Sequence, residues 1–214
     1  LLAHCLEPGS GGCTPSDFPR ARLEAGQLDA LAARFAGIAA PRDIEDIYRL
    51  SPMQEGMLFH TLLAPEEAMY VEQWNGLLGG DLQVAAFQQA WRNACARHSI
   101  LRTAFVYEGT GEPHQVVFRR AEPEFTVEDW RDLDRSEQDT RLEAFLEADR
   151  ARGFALERAP LTRFTLLRLR DDAWRLVWTT HHLLIDGWSM PVLLRETLAD
   201  YETIRQGSRW KSVV

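Results

Sequence analysis

His181-His182-Leu183-Leu184-Ile185-Asp186-Gly187-Trp188-Ser189-Met190 follows directly on the apolar run Leu176-Val177-Trp178-Thr179-Thr180. The run reads as a buried strand, and residues 190–201 read as a helix. The histidine pair therefore falls at a strand-to-helix junction, where a side chain can meet a substrate and still be rigidly held. Neighbouring residues of a strand point to opposite faces, so the two rings are poorly placed to share one ion. No C-x-x-C or H-E-x-x-H pattern accompanies them. On these residues alone no metal is expected, and such a pair is more often a structural or surface feature than a catalytic one.

Two further segments stand upstream. In Tyr48-Arg49-Leu50-Ser51-Pro52-Met53-Gln54-Glu55-Gly56-Met57-Leu58-Phe59-His60, Ser51 suits a helix N-cap and Pro52 the first helical position, with Glu55 soon after. In Arg97-His98-Ser99-Ile100-Leu101-Arg102-Thr103-Ala104-Phe105, a helix end runs into a strand.

Around these segments the chain alternates helix and strand. Helices are expected at 24–35, 52–63, 84–97 and 135–150, and a strand at 70–78. Phe87, Ala90, Trp91 and Ala94 share one face of the 84–97 helix. Leu142, Phe145 and Leu146 face inward on the 135–150 helix, whose many charges read as a solvated face. Strand pairs are expected at 101–107 with 114–118, joined by Gly109-Thr110-Gly111-Glu112-Pro113, and at 161–168 with 174–180, turning at Asp171-Asp172. Residues 9–19 are rich in glycine and proline and read as a linker. The pattern is α/β (α+β): a mixed sheet flanked by helices.

The bulk properties exclude several classes. The 45% hydrophobic and 10% aromatic content of these 214 residues suffices for a packed core. A net charge of −8 without a basic patch argues against nucleic-acid binding. No apolar run approaches the roughly 18 residues of a membrane span, and residues 1–5 lack the basic start of a signal peptide. Cys5, Cys13 and Cys95 are too few for a disulfide framework. A cytoplasmic setting is expected. Cys95 reads as core, and Gly109-x-Gly111 as a hairpin turn and not a phosphate loop. No Gly-x-Ser-x-Gly is present. With Leu1 as its first residue, the chain reads as a piece of something larger.

Together and in this order, the three segments resemble the motifs of condensation domains of nonribosomal peptide synthetases, within the chloramphenicol acetyltransferase-like superfamily. The resemblance covers about residues 42–206. It implies residues 42–214 as the N-terminal lobe of such a domain, with the family's second lobe absent. Residues 1–41 would be the tail of an upstream domain and an interdomain linker with a short helix. Residues 1–5 and 14–19 resemble the tail that often follows an epimerization domain. The first motif and Trp188-Ser189 resemble condensation rather than epimerization domains, and His181-His182 stands where heterocyclization domains carry aspartates and fungal-type terminal cyclizing domains usually carry Ser-His.

The resemblance implies a peptide-bond-forming acyltransferase of antibiotic and other secondary metabolite biosynthesis. An upstream peptidyl carrier protein presents an acyl or peptidyl thioester, and a downstream one presents the attacking aminoacyl amine. The phosphopantetheine arms belong to the carriers, so no cofactor bound directly is expected, nor a nucleic-acid or membrane partner. His182 would act as general base or position the amine, and Gly187 would let substrate approach near backbone N–H groups able to stabilise an oxyanion. His181 would face the core with its ring bonded to backbone. Asp186 would either orient His182 or form a structural ion pair, with Arg102 by preference or with Arg97; the resemblance favours the ion pair. The isolated fragment is expected to be inactive, since both arms meet between two lobes. The alternative function is a non-catalytic half-domain that docks carriers or a second lobe.

Overall fold

The computed structural model describes residues 13–35 and 39–207. The readings made for residues 1–12 and 208–214 lie outside them. In chain order the elements are α1 (Ala25–Arg34), β1 (Ile44–Arg49), α2 (Pro52–Leu63), β2 (Val71–Gly79), α3 (Val84–Arg97), β3 (Thr103–Val106), β4 (His114–Phe118), β5 (Glu124–Asp129), α4 (Arg135–Arg152), β6 (Thr162–Arg170), β7 (Ala173–His181) and α5 (Ser189–Arg205).

The strands form two sheets among the described residues. One is four-stranded in the order β2-β7-β6-β5, the other three-stranded in the order β1-β4-β3. The larger sheet is mixed: β2 and β6 run antiparallel to β7, while β5 runs parallel to β6. A parallel neighbour needs a crossover, and α4 supplies it. The β3–β4 pair turns through Gly109 and Gly111, whose φ of 81° and 78° only glycine adopts without strain.

Alternation along β6 and β7 sorts the layers. Phe164, Leu166, Trp174, Leu176 and Trp178 join one core with Phe87, Trp91 and Ala94 of α3 and Leu193 and Tyr201 of α5. Leu167 and Val177 face the other way, onto Trp130 and the Leu142–Phe145–Leu146 stripe of α4. Trp91 anchors the first core, with its ring centroid 4.1 Å from that of Phe164 and 4.8 Å from that of Trp178.

The segment before residue 42 packs closely against the smaller sheet. Phe18, Ala21, Leu23, Leu28, Leu31 and Phe35 form a further core with Ile44, Ile47, Ala104, Val106, Val116 and Phe118 of its strands. Phe18 is thus a core residue, although the glycine- and proline-rich stretch that carries it reads as linker.

Candidate active site

The first motif reaches the junction after β7, and the second braces α5, the helix that follows it. Ser51 caps α2: its Oγ accepts from the Gln54 N–H at 3.3 Å, and Gln54 Oε1 accepts from the Ser51 N–H at 3.0 Å. Gln54, not Glu55, therefore closes the capping box. The same Gln54 amide donates to the Leu183 carbonyl at 3.0 Å and pairs with the Gln115 amide, tying the first motif to the third. The second motif holds α5: His98 Nε2 lies 2.8 Å from Glu196 Oε2, and Arg97 reaches Glu196 and Asp200 at 3.5 and 3.6 Å.

The histidines part to opposite sides, as strand alternation requires. His181 is 1% exposed. Its Nδ1 accepts from the Leu183 N–H at 3.1 Å, so the neutral ring carries its proton on Nε2. That Nε2 is buried without a hydrogen-bond partner among the described residues. Burial and the neighbouring His182 push the His181 pKa down from 6.5 to about 4.

Neutral His181 is thus favoured in the fold, while the unfolded chain takes up a proton at the ordinary pKa. Its contribution to stability is complete above pH 6.5 and is lost as pH falls towards 4. The total is roughly 3 kcal/mol. Melting temperature should therefore drop across that window, and His181→Gln should flatten the drop. Parallel pH profiles for the two proteins would contradict this.

His182 follows the last residue of β7, with its N–H donating to the Tyr70 carbonyl at 2.8 Å. Its ring stacks at 4° on Tyr70, with centroids 6.5 Å apart, and its side chain stays 29% exposed. Nδ1 lies 3.2 Å from Glu72 Oε1, off the line of a hydrogen bond. Glu72 lies on β2 opposite Thr180, so cross-strand register brings it beside the ring. It escaped the sequence reading because strand register between distant segments is not a local signal.

The expected partnership of Asp186 with Arg102 or Arg97 is not formed. Asp186 is exposed, and its Oδ1 accepts from the Ser189 hydroxyl at 2.7 Å and the Ser189 N–H at 2.8 Å. Those bonds hold its pKa below the usual carboxylate range. Its carbonyl accepts from the N–H groups of Ser189 and Met190, so Asp186 caps the start of α5. Nor does it orient His182, where Glu72 is the adjacent carboxylate.

Arg102 is 5% exposed. Its Nε donates to the Cys95 carbonyl at 2.9 Å, and its Nη1 donates to Glu45 at 2.7 Å and to the Phe118 carbonyl. A short loop-capping bond satisfies Asp186 locally, and Glu45 on β1 lies nearer the buried guanidinium. Asp186→Ala should therefore lower the melting temperature by only about 2–4 °C, the scale of a lost cap. A drop of more than about 6 °C would instead mark a buried charge left unpaired.

Gly187 is exposed, and a Cβ built on it would meet nothing within 4 Å. Crowding within the described residues therefore does not explain its lack of a side chain. Cys95 is 1% exposed, and burial pushes its thiol up to about 12, as befits a core residue.

The layered fold and this junction define a two-sheet α/β lobe built around one half-exposed histidine. The condensation-domain family model matches residues 44–213, and the chain belongs to that family. It is 46% identical to a linear gramicidin synthase of Brevibacillus parabrevis, covering 100% of this chain and 4% of that protein. It is 35% identical to a mycosubtilin synthase of Bacillus subtilis, covering 95% of this chain and 8% of that protein.

Among solved structures, the starter condensation domain of rhizomide synthetase superposes with a TM-score of 0.70 at 20% identity, covering 77% of this chain and 41% of that one. The first condensation domain of the calcium-dependent antibiotic synthetase, in complex with a substrate analogue, gives 0.69 at 21% identity, covering 78% and 40%. The chain thus spans a small fraction of the synthetases and about two-fifths of the solved condensation domains. No helix among the described residues is long and apolar enough to cross a membrane.

Proposed function

We propose that this chain supplies the histidine-bearing lobe for amide-bond formation in a nonribosomal peptide synthetase. The carrying observation is His182: half-exposed at a strand end, stacked on Tyr70 and flanked by Glu72. The acceptor amine attacks the donor thioester carbonyl. The N–C bond forms, the C–S bond breaks, and the thiolate leaves on the donor carrier's phosphopantetheine arm. His182 positions the amine and takes its proton, which then neutralises the thiolate. Glu72 lies on the Nδ1 side of the ring, leaving Nε2 for the amine.

Gly187 keeps the approach clear, and the backbone N–H of its own turn serves the developing oxyanion. His181 and Arg102 serve as buried supports, and Arg97 ties α3 to α5. The partners are upstream and downstream carrier proteins and adjacent synthetase domains, an epimerization domain among them. The cytoplasm suits the free thiols of Cys13 and Cys95. The test supplies the complete synthetase module with both loaded carriers and follows dipeptidyl-carrier by mass spectrometry. Formation of the dipeptide supports the reading; intact loading of both carriers without dipeptide would overturn it.

A further inference from the structure

We infer that the apolar pocket between β2, β7 and the start of α5 receives the acceptor's side chain, and that it takes an aromatic or branched aliphatic group. The inference rests on the role proposed for His182.

The pocket has a volume of about 280 Å³ and is lined by Trp74, Trp178, Gly187, Met190, Pro191 and Leu194. Among the described residues, no charged side chain borders it. The Trp178 Nε1–H donates to Thr162 Oγ1 at 2.8 Å, so its polar atom is already satisfied. A dry cavity of about 150 Å³ can hold benzene. This one has room for an indole or a leucyl group. Met190 is an unbranched, polarizable wall able to adjust to either.

Register places the pocket beside the histidine. Trp74 pairs with Trp178, and Glu72 pairs with Thr180, on the same face of the sheet. Trp74 lies two residues beyond Glu72, or about 7 Å along the strand. Glu72 approaches the His182 ring to 3.2 Å. An acceptor amine held at His182 carries its Cβ only two bonds away. The donor's Cβ lies further off, beyond the carbonyl under attack. The acceptor side chain is therefore the group this pocket can reach.

A Cβ on Gly76 would lie 2.4 Å from the Trp74 indole. The ring folds flat over the bare Gly76, along its own strand. Gly187, at the rim, adds no side chain to close the entrance.

The experiment uses the complete synthetase module, with its acceptor carrier loaded chemically with alanyl, leucyl, phenylalanyl or tryptophanyl groups. Wild type should favour at least one large apolar acceptor over alanyl by about 10–200-fold in kcat/KM. Leu194→Phe should fill the pocket and reduce that preference at least about tenfold. Gly76→Ala, which pushes the Trp74 ring off its bed, should also change the preference and serves if Leu194→Phe folds poorly. Equal rates for all four acceptors in wild type, or variants that slow all acceptors alike, would overturn the pocket assignment. His182→Ala is run beside them with the alanyl acceptor. If it proceeds at the wild-type rate, the role of His182 fails, whatever the pocket variants show.

Discussion

Replacing His182 with alanine in the complete synthetase is expected to slow dipeptidyl-carrier formation by about a hundred- to ten-thousand-fold, the range of a lost general base. The fold should survive. The side chain is 29% exposed, and its contacts are a ring stack on Tyr70 and an off-line approach to Glu72. The backbone bond from the His182 N–H to Tyr70 does not depend on the side chain. Melting temperature should therefore stay near that of the wild type while turnover collapses. Loading of both carriers, measured in the same samples, should be unchanged. Wild-type yield from this variant would remove His182 from the mechanism. Collapse of both melt and turnover would show instead that the ring is a packing element.

Much of this architecture is legible in the sequence. The Phe87–Ala90–Trp91–Ala94 stripe has helical period, and α3 spans Val84–Arg97, the expected range. Ser51 and Pro52 mark the start of α2 by cap chemistry, which depends only on neighbours. The two antiparallel hairpins also form where alternation and turn residues place them.

The two strands that went unread have physical reasons. In β1, Ile44 and Ile47 are the buried positions, three residues apart, because a register irregularity falls between Ile44 and Asp46. A bulge breaks the period of two on which strand reading relies. In β5, Glu-Phe-Thr-Val-Glu-Asp lies at the sheet edge with acidic ends and none of its residues fully buried, so it lacks the apolar signature of a core strand.

At the site, what depends on neighbours was readable and what depends on register was not. The inward turn of His181 follows from alternation. The Glu72 contact needs the pairing of Val71 with His181 across more than 100 residues. The Asp186 reading failed differently. Asp-x-x-Ser ahead of a helix is itself a capping pattern, and that local signal outweighs a long-range ion pair drawn from resemblance.

α4 is dense in charged residues. Most of them face solvent, as amphipathic spacing implies. Asp149 does not: its side chain is 9% exposed, and it meets Arg163, itself 6% exposed, at 2.6 Å. The carboxylate also accepts from Thr179 Oγ1 at 2.5 Å and Gln73 Nε2 at 2.8 Å, while Arg163 Nη1 donates to the Gly153 carbonyl at 2.7 Å. One carboxylate thus fastens α4 to three strands, since Gln73, Thr179 and Arg163 share a row across β2, β7 and β6. Burial alone would raise the pKa of Asp149; the Arg163 and Thr179 bonds outweigh it and hold the group below 3.8.

Ionised Asp149 is therefore the form the fold favours. Its contribution is present above the ordinary carboxylate pKa and fades as pH falls through the lowered one. Asp149→Ala should cost about 3–5 kcal/mol, because it leaves the Arg163 guanidinium buried and unpaired. For a chain of this size that corresponds to a fall of roughly 6–20 °C in melting temperature. Asp149→Ala combined with Arg163→Met should recover much of the loss, since removing both charges also removes the orphan. A double variant no more stable than the single one would show that the Thr179 and Gln73 bonds, and not the ion pair, are what fasten α4 to the sheet.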